Sequence, residues 1–207
     1  MSIARKERAA LVETLRATGP DAPTLCEGWN TRDLAAHLVV RERRLDAAPG
    51  ILVPQLAGYT ARVQDQVTAS TDWSDLLAQV AAGPPLYSPF ILIDRFANVT
   101  EMFIHHEDVR RAGTDWEPRV LDQETTAALA GRVGMFGRMT LSRAPARVSL
   151  ATREGKVLTT AGKGSPVTVS GDPGELLLFA AGREPARVSF DGDADAIAAV
   201  QGSHRGL

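Results

Sequence analysis

The stretch that decides the fold is ILIDRFANVTEMFIHHEDVRRAG, from Ile91 to Gly113. No Pro or Gly interrupts it before Gly113, which supplies a C-cap signal. At about 100° per residue, this pattern predicts one long helix whose polar residues share a narrow stripe. Apolar residues flank the stripe on both sides, so it is predicted to face the interior of the fold. The members of the stripe are Asp94, Asn98, Glu101, His105 and Asp108.

Glu101 and His105 form the pair with the clearest chemical meaning. Four residues apart, they are predicted to lie roughly 40° apart around the helix and about 6 Å apart along its axis. Both side chains can then reach one atom, and carboxylate oxygen with imidazole nitrogen suits zinc or another divalent transition metal. An intrahelical hydrogen bond or ion pair on a partly solvated face is the alternative. A metal site would need a third ligand, for which His37 is a candidate, although alone it is more simply an ordinary core or surface histidine.

Composition limits the classes of function. At 207 residues, the chain is long enough for one large domain or two small ones with a substantial core. A net charge of −2 gives no reason to propose nucleic acid or an anionic membrane as a partner. The single Cys26 excludes an intramolecular disulfide and fits a reducing cytoplasm. No run approaches a membrane span, and the first residues predict an amphipathic helix instead of a signal peptide. We therefore expect a cytoplasmic protein.

The remaining pattern predicts an α+β protein with a helical N-terminal part. Apolar periodicity and breakers predict helices at 3–17, 31–47, 52–69, 72–82 and 122–143. Asn30 or Thr31 is the expected N-cap of the second helix. A hairpin is predicted at 146–160 and further strands at 165–171 and 186–193, with a short helix after each. The expected domains are a helical bundle at 1–145 and a small α+β unit at 146–207.

Short motifs carry a resemblance to a known family. The segments TLCEGW (24–29) and TRDLAAHL (31–38) resemble the DinB-like superfamily, in particular the N-terminal domain of the mycothiol-dependent maleylpyruvate isomerase family. The segments VTVSGD (167–172) and LLLFAAGR (176–183) are similar to the C-terminal domain of that family. The resemblance implies a DinB-like four-helix bundle followed by a small α+β domain.

The resemblance also implies a ligand set for a divalent metal, most simply zinc. The family's metal is held by a histidine on the second helix and by a glutamate and a histidine four apart on a later helix. These positions correspond here to His37, Glu101 and His105. Three protein ligands leave one position open, which is typical of catalytic zinc. Cys26 is a conceivable fourth ligand or reactive thiol, but it is more simply a small buried apolar residue.

The implied function is thiol-dependent chemistry. In such a site, a low-molecular-weight thiol, mycothiol by resemblance, binds as its thiolate and attacks a small electrophile. Addition, bond rotation and elimination give cis–trans isomerisation, whereas addition without return gives S-transfer. Activation of water for hydrolysis is another use of the same ligands. A binding protein without turnover, holding a metal and a small ligand, is the competing class.

Four residues can support the ligands through hydrogen bonds. They are Asp33, Asp94, Asn98 and Asp108, of which Asp94 and Asn98 are favoured over the others. Arg183 follows a helix end, where its simplest role is electrostatic. The resemblance implies that Arg183 binds a substrate carboxylate.

The other histidines and two aromatic residues are given ordinary roles. His106 points about 100° away from His105 on the same helix, so it is not expected to be a ligand. His204 is most simply a tail residue. Trp29 and Tyr59 are expected to pack in the core or at a hinge.

Overall fold

The computed structural model describes residues 2–51, 53–88 and 97–206. The chain divides into two compact units, Met1–Trp116 and Glu117–Leu207. The first part of the predicted central helix, with Asp94, lies outside the described residues. Among the residues that are described, no helix combines the length and the apolar character needed to cross a bilayer.

The first unit is helical in its described parts, as the sequence predicted. Two 3-10 turns, Ala48–Ile51 and Pro54–Leu56, precede the third helix, which therefore begins later than predicted. The α-helices are α1 (Ile3–Thr18), α2 (Thr31–Arg43), α3 (Ala57–Ser70), α4 (Trp73–Ala82) and α5 (Ala97–Arg110).

Local capping explains where α2 begins. The Asn30 side chain accepts a hydrogen bond from the Asp33 backbone N–H at 3.0 Å. The Asp33 carboxylate accepts one from the Asn30 backbone N–H at 3.1 Å. This reciprocal pair is a capping box, which fixes the entry of the chain into the helix. Asp33 therefore caps α2, and its carboxylate bonds the Asn30 backbone in this capping box.

Four helices contribute to one apolar core. Apolar side chains from α1, α2, α4 and α5 form a single buried cluster, and burial of this surface stabilises the bundle. A smaller cluster joins α2 to α3 through Val40, Ala47 and Val63. The main cluster contains Leu11, Val12, Leu15, Leu34, Ala35, Ala36, Leu38, Val39, Leu76, Leu77, Val80, Met102 and Val109.

The second unit combines a four-stranded sheet with three helices. The strand order is β2-β1-β3-β4. The β1–β2 and β3–β4 pairs are antiparallel, whereas β1 and β3 are parallel. With these strands the α+β class predicted from the sequence is confirmed. The elements are α6 (Gln123–Thr140), β1 (Arg147–Ala151), β2 (Val157–Ala161), β3 (Pro166–Ser170), α7 (Pro173–Ala180), β4 (Ser189–Gly192) and α8 (Ala194–Gln201).

Helix α6 belongs to the second unit by its packing. It lies against β2 and α7, and a Cβ atom built on Gly137 would come within 2.9 Å of Leu150 and 3.0 Å of Thr159. The absence of a side chain at Gly137 thus permits the close approach of helix and sheet. The compact unit begins before α6, whereas the sequence places the domain boundary after it, near Pro145. The boundary at 145 stays a prediction.

Candidate metal centre

The structure brings His37, Glu101 and His105 together inside the first unit. His37 comes from α2, and the other two come from successive turns of α5. Glu101 Oε1 lies 3.5 Å from His37 Nε2 and 3.3 Å from His105 Nε2. The two imidazole centroids are 5.3 Å apart. Both histidines are buried, and Glu101 is half-buried, so the cluster has one partly accessible member.

These separations fit a divalent ion. Zinc binds histidine nitrogen and carboxylate oxygen at about 2.0–2.2 Å, so two ligand atoms of a tetrahedral ion lie about 3.3–3.6 Å apart. The two distances to Glu101 Oε1 fall in this range, and all three atoms lie within 4.8 Å of one another. We conclude that the three side chains can hold a divalent cation without rearrangement of the helices.

The second nitrogen of His105 has a buried partner. Its Nδ1 lies 3.0 Å from Asp108 Oδ2, and the Asp108 side chain is fully buried. A carboxylate at this position accepts the Nδ1 proton, which leaves the Nε2 lone pair directed at the cluster. The sequence favoured Asn98 and Asp94 for this role. The Asn98 amide oxygen accepts a hydrogen bond from Arg41, and support of a ligand by Asn98 stays a prediction.

Burial and neighbouring charges set the protonation of the three ligands. Burial lowers the pKa of His37, which favours the neutral form that binds a cation. Burial alone would raise the pKa of Glu101, but the charge of Arg41 and hydrogen bonds with His105 and His37 hold it well below its usual range. Burial alone would lower the pKa of His105, but hydrogen bonds with Asp108, Cys26 and Glu101 raise it well above its usual range.

Arg41 is a member of the site that sequence reasoning missed. Its Nε lies 3.3 Å from Glu101 Oε1, and its Nη1 donates a hydrogen bond of 2.7 Å to Asn98 Oδ1. The side chain is buried, so its charge is weakly screened. The signal was available in the sequence, because Arg41 follows His37 by four residues on α2.

Cys26 lies on the other side of the His105 ring from the cluster. Its Sγ donates a hydrogen bond to Asp108 Oδ2 at 3.1 Å and lies 3.9 Å from His105 Nδ1. The thiol is half-buried. Cys26 packs at the edge of the main apolar core, in line with the expected packing role, and its thiol in addition makes a polar contact with Asp108. The ring also separates Cys26 from Glu101, which argues against Cys26 as the fourth ligand of the same ion.

The remaining histidines take no part in the cluster. His106 Nδ1 lies 2.8 Å from Glu7 Oε1, and its Nε2 lies 2.8 Å from Thr14 Oγ1, so it links α5 to α1. His204 is exposed in the second unit. The assignment of His37 and His105 as metal ligands stays a prediction.

Two aromatic residues differ in their surroundings. Trp29 packs beside His37, with ring centroids 4.9 Å apart, and it joins the edge of the main core. Tyr59 is 43% exposed and donates a hydrogen bond to Asp46 at 2.6 Å. The packing expected for Trp29 is thus, in part, packing against the ring of His37.

Arg183 lies in the second unit, after α7. Its Nη1 donates a hydrogen bond of 2.9 Å to the Ala181 carbonyl, which agrees with the helix-end role considered from the sequence. The side chain also lines a small cavity of about 130 Å³ together with Phe179, Phe190 and Arg205. Binding of a substrate carboxylate by Arg183 stays a prediction.

We predict that Asp108→Asn weakens metal binding by about 10–100-fold. The amide keeps the shape of the side chain, but it loses the charge that holds the proton on His105 Nδ1. Isothermal titration with Zn²⁺ measures the change, with circular dichroism as a check of folding. Asp65→Asn is the matched control, because Asp65 is exposed on α3. Equal affinities in the two variants would contradict a supporting role for Asp108.

The comparisons with known proteins agree with this architecture. The chain resembles a crystal structure of the mycothiol-dependent maleylpyruvate isomerase, with a TM-score of 0.57 and 16% identity over 91% of this chain and 90% of that one. A histidine-to-alanine mutant of that enzyme gives a TM-score of 0.53 at the same identity and coverage. At this identity the likeness establishes the fold. No curated protein sequence matches the chain. The model of the mycothiol maleylpyruvate isomerase N-terminal domain matches residues 2–141. With more than half of its length matched, the chain belongs to the mycothiol maleylpyruvate isomerase N-terminal domain family.

Proposed function

We propose that this protein is a metal-dependent enzyme that uses a low-molecular-weight thiol, mycothiol by family, to isomerise or S-conjugate a small electrophile. Family membership and the fold shared with a mycothiol-dependent isomerase support the class of reaction. Zinc is the metal that the ligand types favour. A cytoplasmic location is part of the proposal, since thiol chemistry of this kind needs reducing surroundings.

One observation carries the proposal. Two separate helices bring His37 Nε2, Glu101 Oε1 and His105 Nε2 within 4.8 Å of one another, inside a bundle that also buries Arg41 and Asp108 beside them. Clustering of two imidazoles and one carboxylate in a protein interior is costly unless the groups are paired with a charge or a metal. Three such ligands also leave a coordination position for a substrate atom.

The side chains of this chain have distinct tasks in the proposed reaction. A divalent cation, when bound, lowers the pKa of a thiol and so presents it as the nucleophilic thiolate. His37 and His105 supply neutral nitrogen ligands, and Asp108 holds the proton on the far nitrogen of His105. Arg41 adds a positive charge 3.3 Å from Glu101, and this charge favours an anionic ligand at the site. A thiolate and a substrate carboxylate both meet that requirement.

The carbon chemistry follows from thiolate addition. The thiolate sulfur forms a bond to one carbon of a conjugated double bond, whose π electrons move to the neighbouring carbonyl. Rotation about the resulting single bond and loss of the thiolate give the isomer and regenerate the thiol. Protonation of the adduct instead of loss of the thiolate gives an S-conjugate. Arg183 is proposed to bind a carboxylate of the electrophile, for which a guanidinium fork is suited.

We expect the zinc-loaded protein to convert maleylpyruvate, or to consume mycothiol with another electrophile, at least about a hundredfold faster than a His37→Ala variant. Loss of one ligand nitrogen removes the cation that activates the thiol. Absorbance of the electrophile and titration of free thiol measure the two reactions. His204→Ala is the control for loss of a histidine, because His204 is exposed. A wild-type rate no higher than that of His37→Ala would contradict the proposal.

A non-catalytic protein that binds a metal and a small ligand is the second candidate. The observation in its favour is that the charged groups beside the ligands are engaged with each other. Asp108 is held by His105 and Cys26, and Arg41 is held by Asn98 and Glu101. Tight mycothiol binding to the zinc-loaded protein without turnover of any electrophile would support this candidate.

A further inference from the structure

A second group of metal-ligand atoms lies behind the candidate metal centre. Cys26 Sγ is 3.1 Å from Asp108 Oδ2 and 3.9 Å from His105 Nδ1. The Nδ1 and Oδ2 atoms are 3.0 Å apart. Thiolate, imidazole and carboxylate are the three common zinc ligands in proteins, and each is represented here once. We call this group the second site, and the group of His37, Glu101 and His105 the first site.

The backbone holds Cys26 in place relative to α5. The Leu25 N–H donates a hydrogen bond of 2.9 Å to the Asp108 carbonyl, which fixes the loop on the helix. The Cys26 N–H donates to Thr24 Oγ1 at 3.1 Å, and the Trp29 N–H donates to the Cys26 carbonyl at 3.0 Å. The thiol is therefore presented to Asp108 and His105 by an ordered turn, and it does not need to be recruited from a distance.

From this geometry we infer that the second site binds a thiophilic divalent cation, such as Cd²⁺ or surplus Zn²⁺, in competition with the first site. With metal–sulfur bonds of about 2.3 Å and metal–nitrogen or metal–oxygen bonds of about 2.0–2.2 Å, tetrahedral ligand atoms lie about 3.3–3.6 Å apart. The three distances of the second site lie within about 0.4 Å of this range. On binding, the Cys26 thiol releases its proton to solvent, and the single proton of neutral His105 moves from Nδ1 to Nε2, so that thiolate and carboxylate together balance the divalent charge.

Charge distinguishes the two sites. A thiolate and the Asp108 carboxylate together neutralise a divalent cation at the second site. At the first site the Glu101 carboxylate supplies a single negative charge, and Arg41 lies 3.3 Å from the same oxygen. The softer sulfur ligand and the fuller charge compensation both favour a thiophilic ion at the second site. With three protein ligands, the first site suits a cation whose fourth coordination position stays open for a substrate atom.

Sharing of His105 makes the two sites exclude each other. A neutral imidazole offers one lone pair, so it binds a cation through Nδ1 or through Nε2, and the other nitrogen carries the proton. Occupation of the second site therefore removes a ligand from the first. A thiophilic ion bound there would inhibit whatever chemistry the first site performs. The inference depends on Cys26, Asp108 and His105 alone and does not require the proposed thiol reaction.

Cadmium titration of variants tests the inference. In a His37→Ala/Glu101→Gln double variant, which lacks two ligands of the first site, we expect one equivalent of Cd²⁺ to bind. The complex should show the ultraviolet charge-transfer band of a cadmium thiolate. Addition of Cys26→Ser should remove the band and weaken Cd²⁺ binding by at least about tenfold.

Each result has a defined meaning. A Cd²⁺ complex without the thiolate band, or failure of the double variant to bind Cd²⁺ while circular dichroism shows native helix content, would overturn the inference. In that case, Cys26 and Asp108 only support His105. The wild-type protein gives a second test if the double variant does not fold, because Cd²⁺ should displace Zn²⁺ and produce the band. Retention of Zn²⁺ without a band would also overturn it. Loss of thiol turnover in every assay, with the band intact, would count against the proposed enzyme alone.

Discussion

Replacement of Glu101 by glutamine is expected to lower the affinity of the protein for Zn²⁺ by more than about a hundredfold. Structural zinc sites with four ligands bind with about 10–16 kcal/mol, so one ligand contributes roughly 3 kcal/mol. Glu101 also supplies the single negative charge among the three ligands of the first site. Without that charge, the buried Arg41 and the cation would repel each other with no compensation. The combined loss corresponds to about two orders of magnitude or more.

Metal content after purification without a histidine tag measures this effect, with elemental analysis of wild-type and variant side by side. Glu13→Gln is the matched control, because Glu13 also pairs with an arginine but lies exposed on α1. We expect about one equivalent of metal in the wild type and in the control. In Glu101→Gln the content should fall well below one equivalent. Unchanged metal in Glu101→Gln would exclude Glu101 as a ligand.

Much of the fold follows from local signals in the sequence. The capping residues before α2, the breakers at Gly19-Pro20 and Gly83, and the hairpin turn at Gly155 are all short-range features. Each fixes a φ angle or satisfies a backbone group within a few residues. Such signals determine element type without knowledge of the partner elements. They therefore predicted both the helical first part and the mixed second part.

The packing of α6 was not predictable in the same way. The pattern of apolar residues in α6 indicates an amphipathic helix. The pattern does not show against which other elements the apolar face of α6 packs. Gly137 marks the closest approach of α6 to the sheet, with Leu150 and Thr159 opposite. From the local sequence, a glycine within a helix indicates only a lower helix propensity and says nothing about close packing. The parallel pairing of β1 with β3 is a long-range feature of the same kind.

The convergence of the candidate ligands was predictable in part. The i, i+4 spacing of Glu101 and His105 places them on one face of α5, which depends only on helix geometry. That His37 faces them depends on how α2 and α5 pack, and the sequence supplied this only through family resemblance. The role of Asp108 was harder to recognise. At i+3 from His105 it was one of four candidates, and it is the contact with His105 Nδ1 that singles it out.

Arg41 and Cys26 make contacts with the central helix that its polar stripe alone does not indicate. Arg41 lies in an arginine-rich segment at the end of α2, yet its side chain is buried and donates a hydrogen bond to Asn98. Cys26 looked like a small apolar residue in a loop, yet its thiol contacts Asp108. Both contacts join residues more than fifty positions apart. Interactions of that range depend on the tertiary fold and leave no periodic signal.

The second large effect is expected from Glu42→Ala, which should lower the free energy of unfolding by about 3–5 kcal/mol. Glu42 lies on α2 with 1% of its side chain exposed, and Arg8 of α1 is 6% exposed. Arg8 Nη1 donates to Glu42 Oε2 at 3.0 Å, and Nη2 donates to Oε1 at 2.5 Å, which is a two-pronged ion pair. Truncation would leave the guanidinium buried without its carboxylate. A loss of about 3–5 kcal/mol is a large share of the free energy of unfolding of a typical domain, which is about 5–15 kcal/mol.

Urea denaturation followed by circular dichroism measures the loss, and Glu13→Ala provides the contrast. The Glu13–Arg16 pair is also glutamate with arginine, but both side chains are more than half exposed. Exposed pairs contribute less than about 1 kcal/mol, because water screens the charges. A loss in Glu42→Ala as small as that in Glu13→Ala would show that the buried pair is not needed for stability.

A double replacement separates the two causes of that loss. Arg8→Met/Glu42→Met removes both charges of the pair and keeps apolar volume, so Arg8 is no longer left buried without Glu42. The double variant also loses the hydrogen bond of 2.9 Å from Arg8 to the Val80 carbonyl, which joins α1 to α4. We expect it to be more stable than Glu42→Ala by at least about 2 kcal/mol. If instead it is equally unstable, packing around Arg8, and not the uncompensated charge, limits the stability of the bundle that holds His37 on α2.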